Sequence, residues 1–294
     1  MKVAIYSRIF KKEIIKDIQL LFDCLHESGI RYITEELYFA QCIASGIKSK
    51  STDTFNTQKD IIEYAPDCMI VLGGDGTILD SIIYMGNHPI PVLGINKGRL
   101  GFLAGESASD IKKAINNLVK GHYSIDSRSL LQLESSSSIF NNVNYALNDF
   151  VIHKKDSSSM ITIHTYINGE YLNSYWSDGL IISTPTGSTG YSLSCGGPIM
   201  YPGSSSFVIT PIAPHNLNVR PMIISDNNVI SFEIEGRSTS FLISLDSRSE
   251  AIDQSVQLAV RKAQFDFQLV RFNEDNYLKT LRKKLMWGID NRNF

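Results

Sequence analysis

The chain has 294 residues, of which 43% are hydrophobic and 20% charged, with a formal net charge of −2. That length exceeds what a single core usually fills, so two lobes are expected. The near-neutral balance excludes the basic excess of a nucleic-acid binder and the polarity of a disordered chain, which leaves a small polar ligand as the expected partner.

From the amino terminus, residues 3–6 read as an apolar opening strand. Over 11–28 the apolar residues Ile14, Ile15, Ile18, Leu21, Phe22 and Leu25 recur at intervals of three and four, and Gly29 stands where a helix would stop. Residues 68–72 (CMIVL) form a continuous apolar run that ends in two glycines. Such a run predicts a buried parallel strand delivering a loop to the carboxyl edge of a sheet, where open α/β sheets bind ligands. A helix is predicted over 78–84, a further strand containing Gly94 over 90–95, and the last helix of this lobe over 110–119. After about residue 124 serine, threonine and alternating β-branched residues dominate, so the second lobe is expected to be mostly β. Residues 161–167 and 171–176 flank Asn168-Gly169, the strongest hairpin signal in the chain. Strands continue over 229–234, 241–245, 256–260 and 265–270, and the serine run at 135–138 reads as an exposed turn. Residues 273–285 return to helix and are expected to pack back on the first lobe. The expected domains are therefore an α/β domain over 1–124, a β-rich domain over 125–270 and a helical segment over 271–294.

Cys24, Cys42, Cys68 and Cys195 are scattered singly, without the C-x-x-C spacing of a zinc or redox pair, and are read as reduced thiols. The opening MKVAIYSRIF turns amphipathic too soon for a signal peptide, and no apolar run approaches the length of a bilayer span. The expectation is a cytoplasmic protein with no membrane or nucleic-acid partner.

The first chemical motif is Gly73-Gly74-Asp75-Gly76-Thr77, between a buried strand and a helix. Glycines let backbone pass close to phosphates, and amides at a helix start point their positive ends at them. A carboxylate at Asp75 can hold Mg²⁺ or accept a proton from an attacking hydroxyl, the two tasks phosphoryl transfer asks of a side chain. The same residues also fit a tight turn in which Asp75 or Thr77 caps the helix, and pattern alone does not separate the two. Neither a G-x-x-x-x-G-K-[ST] loop nor a G-x-G-x-x-G fingerprint is present, so any phosphate cradle is built differently.

The second motif runs from Ser177 to Pro198, where the apolar residues 180–182 lead into a dense block of hydroxyls and glycines. That density supplies many hydrogen-bond donors at one place, followed by a short helix start. An ordinary serine-rich surface loop fits less well, because 180–182 would bury its base and Tyr191 would be an odd solvent residue.

GGDGT at 73–77, LGINKGRLGFL at 93–103, LNDF at 147–150, SDGLIISTPTGSTGYSLSCGGPI at 177–199 and PIAPHNLNVRP at 211–221 stand in this order. With these motifs the chain resembles the NAD kinases over nearly its whole length. Lipid kinases and phosphofructokinases share a GGDG loop but not the long glycine, serine and threonine block. The resemblance implies a Rossmann-like α/β amino-terminal domain and a β-rich, sandwich-like carboxy-terminal domain. It implies a kinase that uses ATP or another phosphoryl donor, with Mg²⁺, to phosphorylate the 2′-hydroxyl of the adenosine ribose of NAD and give NADP. It also implies a homodimer or homotetramer in which neighbouring subunits complete the NAD site. By the same resemblance Asp75 is the base, and Gly74 and Gly76 lie against the dinucleotide. Asn148 and Asp149 bind NAD, the aspartate standing where the family more often has glutamate. Asp178 reaches NAD from across the subunit boundary, while Thr189, Tyr191 and Ser194 surround the adenine and ribose. Trp176 takes a place where relatives often carry arginine, exchanging a charged phosphate contact for packing, and Gly190 replaces a common alanine. Asp246-Ser247-Arg248 stands where relatives frequently show an aspartate followed by glycine. His215 is as readily structural and is left out of the site, and no protein metal ligand is assigned. An NADP-sensing binding module would need the second cluster but not Asp75, so the two motifs together favour the enzyme.

Overall fold

The structure is a computed structural model, and it describes every residue except 9, 11, 97–100, 156–158, 273–275 and 288–294. The chain forms two compact units, residues 1–126 with 268–294, and residues 127–267. Among the described residues no helix is long and apolar enough to cross a membrane.

The described part of the first unit is built on an eight-stranded sheet. Its strands lie in the order Thr54–Phe55, Arg31–Glu35, Lys2–Tyr6, Cys68–Leu72, Val92–Asn96, Phe267–Arg271 and Ser124–Arg128, with Glu106–Ser107 paired to Val92–Asn96. Cys68–Leu72 is buried throughout and pairs in parallel with Lys2–Tyr6 and Val92–Asn96, the environment its unbroken apolar run demands. The helix Ile15–Glu27 buries Ile18, Leu21, Phe22 and Leu25 and stops before Gly29, whose φ of 66° lies in the left-handed region. Two elements differ from expectation. The helix predicted over 78–84 starts earlier, at Asp75, and breaks into Asp75–Asp80 and Ile82–Met85. The break falls at buried Ser81, whose hydroxyl donates to the Ile78 carbonyl at 2.7 Å and competes with the helical ladder. The strand expected to close the β-rich lobe is Phe267–Arg271, and it pairs in parallel with Val92–Asn96 instead. Consecutive Leu269 and Val270 are both buried, which suits a strand covered on both faces.

Among the described residues the second unit contains two six-stranded sheets whose pairings are all antiparallel. One runs Met222–Ser225, Ser206–Ile212, Gly179–Ser183, Asp149–Lys154, Ser240–Leu245, Arg248–Asp253; the other runs Glu170–Ser177, Ile161–Ile167, Ile230–Glu235, Leu258–Lys262, Leu131–Ser135, Tyr145–Ala146. Phe150, Ile182, Phe207 and Phe241 of the first sheet share one core with Leu133, Ile163, Phe232 and Val260 of the second, so the unit is a sandwich. The Asn168-Gly169 turn has φ of 52° and 83°, the two left-handed residues a tight hairpin requires. Asp149 pairs with Ser183 in the register of neighbouring strands, which brings the LNDF segment alongside the glycine, serine and threonine block.

Candidate active site

In the first unit the strand Cys68–Leu72 ends and the chain turns, with the Gly73 N–H donating to the Ile95 carbonyl at 2.9 Å. A Cβ at Gly73 would overlap the Thr77 hydroxyl, so the turn needs glycine. Gly74 caps the short helix in an extended conformation, and Asp75 and Gly76 are its first two residues. The Asp75 carboxylate is held from across the sheet edge: Oδ2 accepts the Phe102 N–H at 2.8 Å, and Oδ1 accepts those of Leu103 and Ala104 at 3.0 and 3.1 Å. A carboxylate offers about four lone-pair positions, so among the described residues one is left, on Oδ2. Gly101 explains itself here, because any Cβ on it would overlap Asp75 Oδ1. Beside this loop lies a cavity of about 370 Å³, lined by Gly73, Gly74 and Thr77, by Ser7 and Asn96 at the strand ends, and by Glu13, Asp17 and Ile18. Residues 97–100 of the LGINKGRLGFL motif lie outside the described residues.

In the second unit the segment that carries Asn148 and Asp149 is fastened on both sides. Asp246, with a φ of 53°, accepts the N–H groups of Leu147, Asn148 and Asp149 at 2.8, 2.7 and 3.2 Å. The Thr184 hydroxyl donates to the Leu147 carbonyl at 2.6 Å, and the Thr184 N–H and Ser183 hydroxyl donate to that of Asn148 at 2.9 and 3.2 Å. Arg248 completes the frame by donating to the Val143 and Tyr145 carbonyls. Asp149 is only 6% exposed. Burial, and then the charge of Asp246, push its carboxyl up to about 7. Burial pushes Asp246 up to about 6, against the pull of its three N–H donors and Arg248, which make it the easier of the two to ionise.

Tyr191 opens the short helix Tyr191–Ser194 and is 42% exposed. Burial raises its phenol first, then Cys195, Asp149 and Asp178, so both carboxylates lie within its field. Asp178 pairs with Lys154 Nζ at 2.6 Å. A Cβ at Gly190 would stand 3.7 Å from Asn148 Nδ2. Asn148, Asp149, Asp178, Gly190 and Tyr191 thus form one neighbourhood, while the Thr189 hydroxyl turns back to the Thr186 carbonyl at 3.2 Å and Ser194 is exposed at the end of its helix. Trp176 is 48% exposed and stacks on His215, ring centroids 4.2 Å apart, with the His215 N–H donating to the Trp176 carbonyl at 2.9 Å. His215, set aside from sequence, is therefore the support of Trp176.

Sequence reasoning missed the amides of 102–104, Lys154, and the holding role of Asp246. The glycine of Gly101-Phe102-Leu103 was a signal for the first; Lys154 and Asp246 are joined to their partners only by strand register, which one sequence does not display. Among the described residues no group of three or more His, Cys, Asp or Glu side chains is arranged to hold a metal ion.

Comparison with known proteins gives concordant matches for both units. Residues 8–123 match the family described as the ATP-NAD kinase N-terminal domain, and residues 147–272 the ATP-NAD kinase C-terminal domain. A NAD kinase of Cytophaga hutchinsonii is 49% identical over 294 residues, covering 100% of both chains, and one of Flavobacterium psychrophilum is 44% identical over 295 residues, again covering 100% of both. Among solved structures, yeast NADH kinase complexed with NADH superposes with a TM-score of 0.88 at 25% identity, covering 98% of this chain and 88% of that one. The NAD kinase of Archaeoglobus fulgidus in complex with ATP shares the fold, with a TM-score of 0.74 at 22% identity, covering 97% and 99%.

Proposed function

The chain belongs to the ATP-NAD kinase family and phosphorylates NAD to NADP; from that premise we propose that ATP is the donor, that the 2′-hydroxyl of the adenosine ribose is the acceptor, and that Asp75 is the base. A ribose hydroxyl is a poor nucleophile at neutral pH, and a positioned carboxylate assists its deprotonation. One observation carries this reading: the Asp75 carboxylate is fixed at a helix start by three backbone amides, and among the described residues one lone-pair position is left on Oδ2 to take the proton.

In this reading the donor's phosphates lie along Gly74-Asp75-Gly76 and its nucleoside occupies the neighbouring cavity, where Ile18, Ile95 and Ile111 suit a base and Ser7 and Asn96 suit a sugar. The donor set fits Mg²⁺ carried chiefly by the phosphates, since no protein cage for it exists among the described residues. When bound, the ion offsets charge on those phosphates. NAD is held by Asn148, Asp149, Asp178, Thr189, Gly190, Tyr191 and Ser194, with Gly74, Gly76 and Trp176 against it. The near-neutral Asp149 carboxyl can give as well as accept a hydrogen bond to a ribose hydroxyl. The working form is a cytoplasmic homodimer or homotetramer in which Asp178 serves the NAD of a neighbouring subunit.

The test is NADP formation from NAD, ATP and Mg²⁺, read by a coupled NADP-specific dehydrogenase. Asp75→Asn is expected to bind NAD normally and to lose turnover by about 10²- to 10⁴-fold. A near-normal kcat in that variant removes Asp75 from the base role. Calorimetry on Asp178→Ala is expected to show weakened NAD binding, and unchanged affinity rejects its placement.

A further inference from the structure

We infer that Arg271 is a positioning residue for Asp75, acting through the backbone of Phe102 and Leu103 and itself fixed by Asp126; the inference rests on Asp75 being the base. Arg271 Nη2 donates to the Phe102 carbonyl at 3.0 Å and Nη1 to the Leu103 carbonyl at 3.0 Å. Its Nε donates to Asp126 Oδ2 at 3.2 Å. The far side of the same two peptide groups faces Asp75, because the Leu103 and Ala104 N–H groups both donate to Oδ1. Two peptide units therefore stand in parallel between a guanidinium and a carboxylate, each with its carbonyl toward the cation and its N–H toward the anion. Hydrogen bonds in such a chain polarise one another and strengthen in the same sense.

The arrangement discriminates between the two carboxylate oxygens. Among the described residues Oδ1 receives both relayed N–H groups and Oδ2 that of Phe102, so Oδ2 is the oxygen with room to take a hydroxyl proton. The loop is also contacted on its side-chain face: the Phe102 ring lies 6.1 Å from that of Tyr277 and has Lys284 Nζ 5.5 Å from its centroid, both on the helix Tyr277–Leu285. Only a planar fork can bridge two successive carbonyls while a third N–H engages a carboxylate, which makes lysine an incomplete substitute for arginine here.

The test compares Arg271→Met, Arg271→Lys, Asp126→Asn and Asp75→Asn in the full-length protein. A base displaced by a fraction of an ångström is slow but does not weaken substrate binding, so Arg271→Met is expected to lower kcat by about 10- to 100-fold with KM and calorimetric Kd for NAD within about twofold of wild type. Arg271→Lys should recover part of the loss, and Arg271→Met combined with Asp75→Asn should be no slower than Asp75→Asn alone. If Arg271→Met does not fold, Asp126→Asn carries the question, with a several-fold fall in kcat at unchanged Tm and KM. The inference is overturned by a kcat within twofold of wild type in the variant that folds, by a rise in KM at constant kcat, or by additive losses in the double variant. Normal turnover in Asp75→Asn sinks the base assignment and this inference together; an inactive Asp75→Asn beside normal Arg271→Met and Asp126→Asn sinks this inference alone.

Discussion

Asp75 in the first unit gathers the amides of Phe102, Leu103 and Ala104, and Asp246 in the second gathers those of Leu147, Asn148 and Asp149. Each is an aspartate joined to three consecutive backbone N–H groups, yet the working part differs. At Asp75 the loop is the holder, since the helix start that carries the carboxylate borders a cavity. At Asp246 the carboxylate is the holder, and what it presents are the side chains of the residues it has fixed, Asn148 and Asp149. The amide pattern is the same at both, and what surrounds each carboxylate decides which partner is the tool and which the clamp.

Removing each carboxylate is the sharpest way to break that comparison. Asp246→Ala would strand three N–H groups in the interior and leave Asp149 and Arg248 without their common partner, so unfolding in urea is expected to show a loss of about 4 kcal/mol. Asp75→Asn keeps the shape and one acceptor oxygen and strands at best a single N–H, so its loss is expected to be about 1 kcal/mol in the same measurement, and a loss of about 4 kcal/mol there would erase the distinction. Gly101→Ala inserts a methyl group where Asp75 Oδ1 sits, and steady-state kinetics should show kcat reduced by about 10²-fold with NAD binding intact. A smaller effect follows from the proton on Asp149. Its pKa is raised from 3.8 to about 7 in the fold, so the native chain keeps a proton that the unfolded chain releases, and stability falls as pH rises through that window. Asp149→Asn lacks this loss and is expected to be more stable than wild type at pH 8, with the advantage gone near pH 4 in thermal melts. The smallest effect belongs to the partly buried Lys154–Asp178 pair, where Lys154→Met should cost about 1 kcal/mol and the difference should shrink in high salt.

Local chemistry made much of this legible from sequence. The apolar run at 68–72 followed by two glycines marked both the buried strand and the loop it delivers, and Asn168-Gly169 marked its hairpin. The α/β and β-rich halves followed from a change in periodicity, and both family matches agree with that division of fold class. Other parts were hidden for identifiable reasons. The helix Gln58–Tyr64 is short, although its capping box of Thr57 and Asp60 was a readable signal. The strand Phe267–Arg271 looked like its neighbours in sequence because strand pattern reports burial and not the identity of the partner. Asp246 and Asn148 lie 98 residues apart, and the bond between them is set by strand register, which no local pattern encodes.

The return of Phe267–Arg271 to the first unit's sheet has a consequence for biogenesis. A chain emerging from the ribosome completes residues 127–267 before the strand that finishes its opening unit has been made. The guanidinium of Arg271 is therefore synthesised after the whole of residues 127–267, and a product terminated before it would carry the GGDGT loop without the grip that steadies it.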